Sequence, residues 1–173
     1  MSSNYIVAYN QSLRNLYAEN RAYGTKNGRE SASALTLAKA DNSAVGRGIL
    51  TLGKFNYGSE GKEATDSEKK SLANKLRAFV DSYNLGLDSN LGTKDRSVIK
   101  VTKEMKKLVE DYKDELGSYG ISVKSGGYLS LSNSATDNLS LKTFEKKFGK
   151  DSDFMKELSK LEKKLSRHFD AYA

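Results

Sequence analysis

Gly120-Ile121-Ser122-Val123-Lys124-Ser125-Gly126-Gly127-Tyr128-Leu129-Ser130-Leu131 decides the fold. Ile121 and Val123 alternate with polar residues, and Leu129 and Leu131 resume that alternation. Ser125-Gly126-Gly127 between them supplies the left-handed conformations a tight turn needs. The pattern predicts a two-stranded hairpin near 121–131. An isolated hairpin is barely stable in water, so its apolar face, Ile121, Val123, Leu129 and Leu131, must lie against helices.

Helical patterns flank it on both sides. Upstream, Val98, Val101, Met105, Leu108, Tyr112 and Leu116 recur at steps of three and four, with Val109 widening the stripe, and the helix is expected to end at Gly117 or Gly120. Downstream, a polar loop from Ser132 to Asp137 leads to Leu139, Leu141, Phe144 and Phe148, a short helix ended by Gly149. A last helix, from about Ser152 to Tyr172, carries Phe154, Leu158, Leu161, Leu165 and Phe169 on one seam.

Before these, Thr65-Asp66-Ser67-Glu68 is a capping box, and Leu72, Leu76, Phe79, Val80, Tyr83 and Leu87 continue it as one apolar stripe. The turn-forming residues of Gly86 to Lys94, among them Asp88-Ser89-Asn90 and Gly92, predict a chain reversal. Ser31 to Leu52 reads as two short helices broken at Asp41-Asn42-Ser43, and Gly53 to Ala64 as a surface loop. Residues 1–30 hold Tyr5, Tyr9, Tyr17 and Tyr23 among Asn, Ser and Gly, a tyrosine-rich arm with one short helix between about Asn10 and Tyr23. The expected organisation is therefore this arm followed by a body over 31–173. The fold class is mainly α: an elongated antiparallel helical bundle, coiled-coil-like, with a small β-hairpin.

Composition narrows function by exclusion. The 173-residue chain has no cysteine, which removes disulfides, thiolate zinc sites and cysteine nucleophiles together. It also has no proline, which favours uninterrupted helices. No stretch approaches the roughly 18 apolar residues of a membrane span, and Met1-Ser2-Ser3-Asn4-Tyr5 lacks the start of a secretory signal. A formal charge of +7 raises the prospect of an acidic partner.

Candidate chemistry is sparse. His168 is the only histidine; it sits in the last turn of a helix, where a cation favoured by the helix dipole explains it better than a triad with Asp170. Glu104, Glu110, Asp111, Asp114 and Glu115 interleave with Lys103, Lys106, Lys107 and Lys113, the pattern of a salt-bridged, solvated face. Gly24-Thr25-Lys26-Asn27-Gly28 and Gly46-Arg47-Gly48 lack phosphate-loop spacing and read as turns. The basic runs Lys142 to Lys150 and Lys160-Leu161-Glu162-Lys163-Lys164 are each interrupted by acids, which disfavours nucleic acid as a partner. No catalytic, cofactor-binding or metal-ligating residue is assigned, no cofactor is expected, and the chain reads as a non-enzyme.

The order of elements carries a resemblance. A long heptad helix, then Leu116-Gly117-Ser118-Tyr119-Gly120-Ile121-Ser122-Val123, a glycine turn, Tyr128-Leu129-Ser130-Leu131, a Leu- and Phe-bearing helix and a final amphipathic helix resemble the C-terminal half of the flagellar hook-associated protein 2 family, the filament cap. Ala40-Asp41-Asn42-Ser43 and Val80-Asp81-Ser82-Tyr83-Asn84 are similar to that family's upstream segments, so the likeness spans roughly Asp41 to Tyr172. It implies a structural, self-assembling part of an extracellular flagellar filament, exported without a cleaved signal. Its partners would be protein, copies of itself or flagellin-like subunits, with the oligomeric state left open. The alternative is a basic helical adaptor, cytoplasmic if the resemblance does not hold, that binds an acidic partner, either nucleic acid or an acidic protein. An exposed apolar stripe would support assembly; a contiguous lysine face would support the adaptor.

Overall fold

The computed structural model describes residues 29, 32–59, 63–137 and 140–171. The fold below is that of the unit Ala34–Ala173; the short helix expected near Asn10 to Tyr23, the arm's tyrosines and the Gly24–Gly28 turn lie outside the described residues.

Helix α1 (Ala34–Gly53) is one unbroken helix where two were expected. It buries Ala38, Val45 and Leu52, one residue every two turns, with Ile49 half-buried beside them. The Asp41-Asn42 pair that reads as a cap lies in its middle, and both residues are buried. Helix α2 (Asp66–Gly92) starts as expected: the Thr65 hydroxyl accepts from the Glu68 N–H (3.3 Å) while the Glu68 carboxylate accepts from the Thr65 N–H (2.8 Å). It then runs straight through the predicted reversal, which shrinks to Thr93 and Lys94, the latter at φ 57°.

The two misread polar clusters have one cause. Helices α1 and α2 pack antiparallel, so Asp41 and Asn42 of one meet Ser89 and Asn90 of the other. The Asn42 amide donates to the Asn90 side-chain carbonyl (2.5 Å) and to the Ala38 backbone carbonyl (2.7 Å), and the Ser89 hydroxyl donates to the Asp41 carboxylate. Polar groups that would otherwise favour a cap or a turn are satisfied across the interface, leaving the helices nothing to break for. Gly46 and Gly48, expected in a turn, are helical instead. A Cβ on Gly48 would stand 3.3 Å from the Phe79 ring and one on Gly86 3.2 Å from a Val45 methyl, so both glycines serve close approach of α1 and α2. Truncating Asn90 to Ala should cost about 1–3 kcal/mol by stranding part of Asn42, whereas Leu at both positions should be much nearer neutral. Urea midpoints of the single and double variants test this; equal losses would deny the pairing.

Helix α3 (Arg96–Asp111) is capped by Asp95, whose carboxylate accepts from the Ser97 (2.8 Å) and Val98 (3.1 Å) N–H groups. The expected single helix to Gly117 is interrupted at Tyr112, and a short α4 (Lys113–Ser118) follows. Strands β1 (Ile121–Val123) and β2 (Leu129–Leu131) pair antiparallel with Ile121 opposite Leu131 and Val123 opposite Leu129. Gly126 (φ 77°) and Gly127 (φ 79°) make the turn, the left-handed role expected of them. The hairpin is fastened to α2 by Asn84, which donates to the Leu129 carbonyl (2.8 Å) and accepts from the Leu129 N–H (2.9 Å), completing the edge that β2 lacks. Ile121, Val123 and Leu129 enter the core and Leu131 packs half-buried against it.

Helix α5 (Leu141–Phe148) begins at the Ser140 cap, and α6 (Asp153–Asp170) at Ser152, whose hydroxyl accepts from Met155 N–H (3.3 Å). Neighbouring helices run antiparallel round the order α1, α2, α3, α6: Tyr83 of α2 reaches the Met105 carbonyl of α3 (3.4 Å), Glu104 of α3 meets Lys164 of α6 (2.9 Å), and Lys39 of α1 meets Asp170 of α6 (3.0 Å). This is a four-helix bundle with a hairpin. The apolar seams of α2, α3 and α6 fill its interior, and α1, broken in the sequence reading, supplies the fourth wall. The Gly53 to Ala64 loop also departs from expectation. Tyr57 is buried and its hydroxyl donates to the Leu52 carbonyl (3.0 Å), while Lys54, Asn56, Gly58, Ser59 and Glu63 are exposed as a surface loop requires, with the Gly58 N–H donating to the Asn56 side chain.

Candidate docking surface

Helices α3 and α6 lie side by side, and their sequences share one spacing of basic residues. On α3, Arg96, Lys100, Lys103 and Lys107 fall at steps of four, three and four; on α6, Lys156, Lys160, Lys163 and Arg167 repeat those steps. Such steps stack side chains in a row along one helix face. All eight are exposed. Each row stands opposite its own helix's buried stripe, Val98, Val101, Met105, Leu108 and Val109 on α3 and Phe154, Leu158, Leu165 and Phe169 on α6.

The acids that interrupt the basic runs in sequence are turned out of the rows. Glu104 faces α6 and is held by Lys164 (2.9 Å). Glu162, in the middle of Lys160–Lys164, is buried against α1: a Cβ on Gly46 would stand 2.9 Å from its Oε1, and its carboxylate accepts from the Ser166 hydroxyl (2.7 Å). Asp95 faces His168 across the seam (3.1 Å). The Val98 N–H, followed by His168, holds the Asp95 carboxyl below the ordinary carboxylate range. Lys107 is engaged by Asp111 (2.6 Å). For Arg96, Lys100, Lys103, Lys156, Lys160, Lys163 and Arg167 there is no ion pair among the described residues. Of the remaining acids of these helices, Glu110, Asp111, Asp153 and Glu157 lie at the end nearest α4, and Asp170 lies at the other end, paired with Lys39.

The other sequence candidates are dispersed. His168 is half-buried against Asp95, and Asp170 turns instead to Lys39, so the two form no relay with a serine. In the Lys142 to Lys150 run, Lys142 pairs with Glu145 (2.5 Å) and Lys147 folds inward: its side chain is 12% exposed, its ammonium meets Glu115, and it lies 4.5 Å from the centre of the Tyr112 ring. Burial lowers the Lys147 pKa, with nearby Asp153 acting in the opposite sense. Lys142, Lys146 and Lys150 line an open cleft of about 500 Å³ with Gly53, Glu145, Asp151 and Ser152, where both signs of charge mix. Of the interleaved carboxylates, Glu110 pairs with Lys113 (2.9 Å) and Asp111 with Lys107 at the expected local spacing, whereas Glu104 and Glu115 pair with Lys164 and Lys147 of other helices. Among the described residues no cluster of His, Asp or Glu could hold a metal ion, and no helix is long and apolar enough to cross a membrane.

The arrangement offers an exposed cationic surface. No protein-family model, curated protein or solved structure matches the chain.

Proposed function

We propose that the chain is a non-enzymatic helical module that docks an acidic partner on its α3–α6 face. One observation carries this reading: two exposed basic rows flank the α3–α6 seam, with Glu104 between them paired, Glu162 buried, and Glu157 the one exposed acid inside a row. Lysine stems keep these charges mobile and hydrated, which suits attraction and orientation of a partner more than chemistry on it. The apolar seams that would drive association are closed within the bundle. Among the described residues Leu35, Leu50 and Leu91 are the exposed large hydrophobic side chains.

Retention on immobilised poly-glutamate tests the reading. A variant carrying K100E, K103E, K160E and K163E should elute at much lower salt than one carrying K54E, K70E, K124E and K150E, which changes the net charge equally at exposed sites elsewhere. Equal elution of the two would reduce the rows to general surface charge and sink the proposal.

Assembly is a second reading, supported by the sequence resemblance of the helix–hairpin–helix stretch to the filament-cap family and by exposed Leu50 on α1. Under it, the chain packs with copies of itself or with filament subunits outside the cell. Light scattering after size exclusion separates the two: an oligomer that persists or grows at high salt supports assembly, and a monomer throughout supports docking.

A further inference from the structure

We infer that the acidic partner is the phosphate backbone of a two-stranded nucleic acid, held without reading of the bases. The inference rests on the docking role of the α3–α6 face and goes beyond it in naming the partner.

Three features of the rows select a duplex. First, they are long and regular. From Arg96 to Lys107, and from Lys156 to Arg167, each row extends about 16 Å at 1.5 Å per residue. Over that length a duplex presents about ten phosphates, one per 1.7 Å of axis, a repeating target for a repeating cation row. Secondly, there are two rows, on helices whose axes pack about 8–10 Å apart. Side chains diverging from such a pair can reach phosphates on both strands across a groove about 6–12 Å wide. Thirdly, the face lacks what other acidic partners use. The rows contain no aromatic ring on which single-stranded bases could stack, and no apolar anchor of the kind that dominates protein interfaces. Six of the eight cations are lysines, Lys100, Lys103, Lys107, Lys156, Lys160 and Lys163, point charges suited to phosphate rather than the forked donors that read guanine. Glu162 and Glu104, which would repel phosphate, are respectively buried and paired, which leaves Glu157, beside Lys156, as the exposed acid within the length of the rows.

The experiment is fluorescence anisotropy of the full chain with 20-base-pair duplexes of DNA and of RNA in three unrelated sequences each, the matching single strands, and labelled poly-glutamate. Binding is followed between 50 and 200 mM salt. For about five phosphate contacts the expected slope of log K against log salt is about −4.5, a loss of roughly 500-fold over that range. The three sequences should agree within about twofold, and single strands should bind at least about tenfold more weakly. Replacing Lys100, Lys103, Lys160 and Lys163 by Ala should flatten the slope by about three to four, whereas Ala at Lys54, Lys70, Lys124 and Lys150 should leave it unchanged. Equal binding of DNA and RNA duplexes supports recognition of the shared backbone; preference for one of them supports the inference and names the source. Binding to poly-glutamate but not to duplex overturns the inference and leaves the docking role standing. Binding to neither overturns both, and a strong preference among sequences overturns the phosphate-only mode.

Discussion

Replacing Phe148 with Ala is expected to lower the unfolding free energy by about 3–5 kcal/mol, the largest effect of any single truncation in this protein. Phe148 is fully buried at the end of α5, where its ring centre lies 5.6 Å from Tyr119, 6.2 Å from Phe144 and 6.5 Å from Phe154. The same cluster continues from Phe154 to Tyr112 (5.3 Å), the residue at which α3 gives way to α4. One ring therefore joins α5, α6 and the segment leading into the hairpin. Deleting it removes edge-to-face contacts as well as apolar area, and backbone on several sides must move to refill the space. A domain of this size has about 5–15 kcal/mol in total, so the variant should be close to unfolding at physiological temperature. Urea denaturation followed by circular dichroism measures the loss. A change below about 1 kcal/mol would show that α5 contributes little to the folded bundle.

Gly120→Ala is the second large effect, about 2–5 kcal/mol, from two separable sources. Gly120 sits at φ 76°, where a side chain costs about 1–2 kcal/mol. A Cβ there would also stand 2.7 Å from Ala135 Cβ and 3.0 Å from Ala135 Cα, an overlap that moving one flexible side chain cannot relieve. Combining it with Ala135→Gly should recover the part due to the Ala135 Cβ and leave the backbone part together with the close Ala135 Cα. Gly117→Ala is the matched control: it lies in α4 with nothing within 4 Å of a built Cβ, and it should be neutral or slightly stabilising. Denaturation midpoints of the three variants would decide. If Gly117→Ala lost as much as Gly120→Ala, the cost would belong to any glycine in this stretch and not to the φ and contact described here.

Segments whose local chemistry and tertiary role agree were legible from the chain. The Thr65 capping box, the α2 stripe, the α6 seam, and the alternation and glycine turn of the hairpin all occur as expected, because period and cap are properties of neighbouring residues. The errors fall where a polar residue has a distant partner. Asp41-Asn42 and Ser89-Asn90 look like punctuation because Asn, Asp and Ser offer the backbone local alternatives to a helix. Each pair is satisfied by the other, 48 residues away, so both helices continue. Tyr57 was lost in a loop for the same reason: its partner, the Leu52 carbonyl, is the end of a helix that had to be placed first.

The basic face is the plainest case of this division. The chain by itself determined the two spacings, Arg96-Lys100-Lys103-Lys107 and Lys156-Lys160-Lys163-Arg167, and the amphipathic periods that hold each row opposite an apolar stripe. It also determined a fold class of helices with a small hairpin, since hydrophobic periodicity and turn chemistry act over a few residues. Only the tertiary structure decided where the intervening acids went. Packing of α6 on α1 buried Glu162 against Gly46, and packing of α6 on α3 tied Glu104 to Lys164 and Asp95 to His168. A carboxylate counts against a cationic surface only when it shares that surface, and which surface it shares is set by contacts between helices that lie dozens of residues apart.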